Sequence, residues 1–204
     1  MDIQENIFQL EQFRQELYLA FDLRRDALMD LIDALSSTPN ARSVVELSLS
    51  PLFRREYSSL LDAIAYSFRP SKPEKADEER LEWEHKWVRL IAPYLPGPQR
   101  QKFWLFGTDV VPIPRPFART LADRTFVYQP NTVVKGNKPV TIGHQYSFLV
   151  FFPEKTDEND PPRVLPLLVH RVRSDEKATS VGAEQIQTLI MCSLKCPHLP
   201  VDGI

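Results

Sequence analysis

The feature that most limits how this chain can fold is a change of hydrophobic period at Pro96-Gly97-Pro98. Before it, apolar residues recur every three or four positions, as one face of a helix requires. After it, they alternate every two positions, as a half-buried strand requires. Helices followed by strands, with no helix between successive strands, point to an α+β chain and not to a wound parallel sheet.

The helical part begins with Ile3, Ile7, Leu10, Phe13, Leu17 and Phe21, with Asp2 placed to cap the start. Ala27, Leu28, Leu31, Ile32 and Leu35 continue the pattern until Ser36-Ser37-Thr38-Pro39-Asn40 breaks it. Ser43 is placed to cap a short helix through Val44, Val45 and Leu47. Ser50-Pro51 reads as a further helix start, with Phe53, Tyr57, Leu60, Leu61, Ile64 and Phe68 on one stripe. Residues 69–77 contain Pro70 and Pro73 and read as an exposed linker. A helix over about 78–94 follows, with Trp83 and Trp87 on one face.

In the second part, 102–111 is a strongly apolar strand that Pro112, Pro114 and Pro116 are expected to terminate, since proline cannot donate to a ladder. Residues 125–129 form a short extended piece. Lys135-Gly136-Asn137-Lys138-Pro139 is turn chemistry. The cleanest alternation follows: Val140, Ile142, His144, Tyr146, Phe148, Val150 and Phe152 point one way, and Thr141, Gly143, Gln145 and Ser147 the other. A third long strand spans 164–172, where Pro166 predicts an edge or bulged position. A helix is expected over 180–190. The expected organisation is a helical domain over 1–96, a strand-rich domain over 97–190 and a tail over 191–204.

Composition excludes several classes. The longest apolar run, Phe148 to Phe152, is far short of the roughly 20 residues a membrane helix needs. The acidic, polar N-terminus is unlike a secretory signal, so a cytoplasmic protein with no membrane partner is expected. Two cysteines, Cys192 and Cys196, cannot build a disulfide framework. The net charge of −2 gives no hint of nucleic acid, but its distribution does. Between Gly97 and Phe152 the bases are Arg100, Lys102, Arg115, Arg119, Arg124, Lys135 and Lys138, against only Asp109 and Asp123. That segment reads either as a solvated basic surface or as a phosphate-binding face.

Asp109 is the only acid in the apolar 102–111 strand, placed near its C-terminal end. A carboxylate in apolar surroundings needs an ion pair, hydrogen bonds or a metal. Pairing with Arg115 or Arg119, or an exposed strand end, would satisfy it structurally. Metal ligation would satisfy it functionally. His144 reads as a hydrogen-bonded core histidine. Cys192, Cys196 and His198 offer three zinc-type ligands at loose spacing with no second cluster.

The segment from Phe103 to Arg124, FWLFGTDVVPIPRPFARTLADR, resembles the first catalytic strand of insertion-sequence transposases of the DDE type. Residues 138–147, KPVTIGHQYS, resemble that group's next strand, and 44–51, VVELSLSP, its helical lead-in. The resemblance covers roughly residues 10–190. It implies an N-terminal helical domain followed by an incomplete ribonuclease H-like domain: three mostly antiparallel strands, then a helix. It further implies Asp109 as the first metal-holding carboxylate, with Mg²⁺ or Mn²⁺ as cofactor. Transposon-end DNA is the implied partner, contacted by Arg115, Arg119, Arg124, Lys135 and Lys138. The chain is also expected to self-associate or to form mixed oligomers with intact transposase.

The pattern departs from the family where its second aspartate and its glutamate should follow. Asp202 is the sole late acid on an extended segment and a poor second ligand, two residues from the end. The expectation is therefore a truncated or frameshifted frame, inactive by itself and prone to poor solubility or dimerisation through an open sheet edge. A non-enzymatic DNA-binding regulator derived from a transposase is the alternative, and an unrelated α+β interaction module a third reading.

Overall fold

The computed structural model describes residues 3–67, 70–129, 139–155, 157 and 161–193. Two compact units divide the chain, Met1–Lys86 and Trp87–Ile204. The division falls inside a helix, upstream of Pro96-Gly97-Pro98, where the hydrophobic period changes.

The first unit holds α1 (Ile3–Ala20), α2 (Arg25–Ser37), α3 (Val44–Ser48) and α4 (Tyr57–Ser67), and α5 (Ala76–Ile91) begins in it. Leu31, Ala34, Leu47, Phe53 and Leu60 form its core. Ser43 caps α3 as its sequence position requires, accepting from the Glu46 N–H at 3.2 Å, while Glu46 accepts from the Arg42 N–H at 2.6 Å. The expected helix start at Ser50-Pro51 is overturned, because α4 begins only at Tyr57. Tertiary contacts win over the local signal there. Ser50 accepts from the Leu52 N–H at 3.4 Å, and Phe53 drops into the core. Arg54 and Arg55 reach the buried Asp30 at 2.7 and 3.3 Å. Asp2 and Phe68 lie outside the described residues.

The second unit is built on one long strand. Its elements are β1 (Leu105–Pro114), β2 (Thr125–Tyr128), β3 (Val140–Phe152), β4 (Leu165–Val172) and α6 (Ala178–Ser193). Every pairing is antiparallel and every one involves β3. β1 runs along β3 from Gly143 to Phe152. β4 pairs with 145–151 of the same stretch, so it occupies the opposite edge. Gly143 faces both Pro114 and Thr125, which puts β2 on the β4 side. The expected three strands are thus four, because 125–128 pairs fully. Pro166 sits where it was expected. β4 pairs only with β3 among the described residues, and the register slips between Leu149 and Val150, opposite Leu168 and Pro166.

The expected stop at Pro112 is overturned, since β1 continues to Pro114. Arg115 donates its N–H to the Ile142 carbonyl at 2.8 Å, so odd-numbered β1 residues direct their N–H groups at β3. In an antiparallel pair, alternate residues point their N–H groups to opposite edges. Pro112 and Pro114 therefore lack donors only on the outer edge, where β3 does not need them.

Helix α6 covers one face. Leu149, Phe151, Leu167, Leu168, Leu189 and Cys192 form the core beneath it with Val88 and Leu95. The deep residues of β3 are thus Ser147, Leu149 and Phe151. The more continuously apolar set, Phe148, Val150 and Phe152, lies on the other face. At the centre Ser147 donates to Gln185 Oε1 at 2.7 Å, and Gln185 Nε2 donates to the Ser147 carbonyl at 3.2 Å. Gly182 lets α6 approach β1 closely, since a Cβ there would lie 3.3 Å from Thr108 Oγ1.

This buried pair fixes how α6 sits along the sheet. Gln185→Leu leaves the Ser147 hydroxyl without its acceptor and should cost about 1–3 kcal/mol in urea unfolding. Adding Ser147→Ala should return part of that loss. A single variant as stable as wild type would show that the pair contributes nothing.

Candidate active-site strand and basic loop

Asp109 is the fifth residue of β1 and faces Phe148 across the ladder, so it sits in mid-strand and not near the end. Directly opposed residues share a sheet face. Ser147 faces α6; hence Phe148 and Asp109 lie on the opposite face. The carboxylate is exposed, which corrects the expectation of apolar surroundings. Its Oδ1 accepts from the Val110 N–H at 2.7 Å. That N–H belongs to the outer edge of β1, which no described strand pairs. No described cation pairs with Asp109, so the Arg115 or Arg119 ion pair considered from sequence is not formed. Among the described residues no three acidic, histidine or cysteine side chains group as metal ligands. The described part of the site therefore does not fit a two-metal centre unaided.

The basic residues divide in two. Arg115 and Arg119 are exposed on the loop between β1 and β2. The Arg115 guanidinium reaches only the carbonyl of Pro114, at 3.3 Å, and Arg119 has no side-chain partner among the described residues. Arg124 is turned inward and donates to the carbonyls of Arg115 and Arg119 at 3.3 and 3.1 Å. Its charge is therefore spent largely on bracing the loop. Lys135, Lys138 and Asp202 lie outside the described residues, as do Cys196 and His198. Cys192 is on the buried side of α6, in the core. His144 is buried, with Nε2 3.0 Å from the Ala122 carbonyl, so it is a hydrogen-bonded core residue.

Three features escaped the sequence reading. Asp123 adopts a left-handed φ of 54° and holds the loop against the end of β4 through Arg171 and the Ser174 N–H. Glu154 accepts from the N–H groups of Gln99, Arg100 and Gln101 at 2.7–3.0 Å, fixing the lead-in to β1. Phe117 stands 93% exposed at the loop's tip. Only the last had a signal in sequence, an aromatic residue set among prolines and arginines.

A groove of about 670 Å³ opens on the helical unit, lined by Glu11, Asp26, Asp30, Asp33, Arg14, Arg54 and Arg55 among others. Apart from Glu11, these charges pair with one another. Arg14 binds Asp33 through two bonds of 2.6 and 2.9 Å and lowers the Asp33 pKa. It is an ion-pair network of the helical unit.

Four strands in antiparallel register with a helix across one face, and an unpaired edge beside a mid-strand aspartate, make an α+β domain consistent with a ribonuclease H-like fold. The chain belongs to the DDE superfamily endonucleases, whose family model matches residues 16–196. Endonucleases of this superfamily generally depend on divalent metal. No curated protein and no solved structure matches the chain.

The Ser174 hydroxyl and the Arg171 guanidinium hold the Asp123 carboxyl at about 2, below its ordinary value. A carboxylate depressed on folding stabilises the fold above its unfolded pKa, and that contribution is lost as pH falls through the folded value. The melting temperature of wild type should exceed that of Asp123→Asn at neutral pH. The gap should close between pH about 4 and about 2. A gap constant over that window would remove Asp123 from the loop's support.

Proposed function

We propose that this chain serves DNA transposition by an insertion-sequence element. It would supply the first carboxylate, Asp109, of a DDE nuclease centre and bind transposon-end DNA through its basic 97–152 segment. Family membership supports the chemistry. The observation that carries the residue is Asp109 itself: an exposed mid-strand carboxylate that no described cation neutralises. Mg²⁺ or Mn²⁺ would be the metal, since carboxylates suit hard cations. Residues 1–204 do not offer the second aspartate and the glutamate at family positions, so the 204-residue polypeptide is inactive by itself. It acts in the cytoplasm, as a homo-oligomer or beside an intact transposase.

A supercoiled-plasmid nicking assay with Mg²⁺ or Mn²⁺ tests this reading. Wild type and Asp109→Ala should both leave the plasmid intact. Cleavage by wild type that Asp109→Ala abolishes would keep Asp109 and refute inactivity. Cleavage that survives the substitution would refute the assignment of Asp109.

The second reading, a DNA-binding regulator without nuclease activity, draws on the exposed Arg115 and Arg119. Duplex binding should weaken steeply with salt, because phosphate contacts release counterions. The Arg115→Ala/Arg119→Ala double variant should flatten the log–log salt slope by roughly one per lost contact. Binding that is absent or indifferent to salt would remove DNA from both readings.

A further inference from the structure

The loop from Arg115 to Arg124 is braced by several hydrogen bonds, yet it carries the most exposed large apolar side chain of the described residues. Two backbone turns organise it, with Ala118 donating to the Arg115 carbonyl at 3.3 Å and Leu121 to that of Ala118 at 3.1 Å. Arg124 ties the carbonyls of Arg115 and Arg119 together from within. His144 holds the Ala122 carbonyl, and Asp123 is held by Arg171 and Ser174. This scaffold leaves the Phe117 ring in water, between two arginines that spend no charge on a described carboxylate.

A ring held out in this way does nothing for the fold, because burial is what makes phenylalanine stabilising. The flanking guanidinium groups select its partner by charge: a polyanion that also offers flat apolar faces. Nucleic acid meets both demands, with phosphates for the arginines and unstacked bases for the ring. An intact duplex hides its base faces, so the ring needs an unpaired or unstacked base, as at a frayed or distorted end. We propose that Phe117, held at the tip of the braced 115–124 loop between Arg115 and Arg119, stacks on an unpaired nucleobase of the bound DNA. This rests on the DNA-binding reading above and assigns its contact residue. Six residue steps of extended chain, about 20 Å, separate Asp109 from Arg115.

The test uses the full chain and two probes: a blunt mixed-sequence duplex, and the same duplex with a three-nucleotide single-stranded overhang carrying 2-aminopurine. Fluorescence anisotropy should show wild type favouring the overhang probe by about tenfold, as expected for one stacking contact. The 2-aminopurine emission should be quenched on binding. Phe117→Ala should lose both the preference and the quenching while binding the blunt duplex as before; Phe117→Trp should keep both. An exposed site makes either variant tolerable to the fold, which thermal melting checks. An unchanged preference in Phe117→Ala, or none in wild type, overturns the stacking inference and leaves salt-dependent duplex binding standing. A Phe117→Ala effect on oligomeric state alone overturns it in favour of a protein contact. No binding of either probe overturns the DNA reading and the inference together.

Discussion

The second unit depends on the hydrogen-bonded ladder of β3. This strand uses both edges, with β1 on one side and β2 and β4 end to end on the other. None of the other strands pairs with another of them among the described residues. Each is placed by its register on β3. Register fixes more than position, because a slip of one residue would turn every side chain to the opposite face. A slip of β1 would bury Asp109 beneath α6, and a slip of β3 would expel Leu149 and Phe151 from the core. The buried Ser147–Gln185 pair opposes it. A hydroxyl and an amide that satisfy each other at one register would both be unpaired at the next. Gly143 opposes it too, because a Cβ at that position would come within 2.2 Å of the Ile113 carbonyl.

The same ladder supports the loop that presents Arg115, Phe117 and Arg119. The loop leaves β1 where Arg115 bonds to Ile142 and re-enters the sheet at Thr125 beside Gly143. Its two ends are thus one residue apart along β3. Short closure lowers the entropy cost of ordering the nine residues between. Arg124, Asp123 and His144 then supply the internal contacts that a loop without a core of its own requires. This division of labour explains why neighbouring cations behave differently. Arg124 points inward because carbonyls converge there, whereas Arg115 and Arg119 flank the tip and meet solvent.

Much of this was legible in the sequence. Periodicity located the long helices, the strand from Val140 to Phe152 and the passage from helices to sheet. Ser43 declared its cap, and Pro166 its bulged edge. The failures share a cause: local signals were read without their tertiary partners. Ser50-Pro51 has the chemistry of a helix start, but Asp30 draws Arg54 and Arg55 away from helical geometry. Pro112 and Pro114 have the chemistry of a strand end. Their effect depends on which edge is bonded, and only the pairing with β3 decides that. On β3 itself the alternation was correct, yet apolar content alone did not reveal that Ser147 faces the core while Phe148 faces away. Of the candidate site, Asp109 was visible as a lone acid in an apolar strand. Its exposure was not, because burial belongs to the neighbours and not to the residue.

The prolines that misled the sequence reading also shape the edge beside Asp109. Outward N–H groups on β1 belong to even-numbered residues, and at 112 and 114 these are prolines with nothing to donate. The unpaired edge can therefore donate to another segment only through Phe106, Thr108 and Val110, although the carbonyls of Pro112 and Pro114 can still accept. Within that short window, the Val110 N–H is already engaged by the Asp109 carboxylate. Any segment that pairs there must compete with this bond or stop short of it. Freeing the Val110 N–H for a ladder would also free both Asp109 oxygens, so pairing at this edge and the availability of the carboxylate are coupled. A charged side chain and donor-free prolines are two known protections of an open strand against indiscriminate pairing. Here both act on one edge, and the aspartate that guards it is the residue on which the proposed chemistry rests.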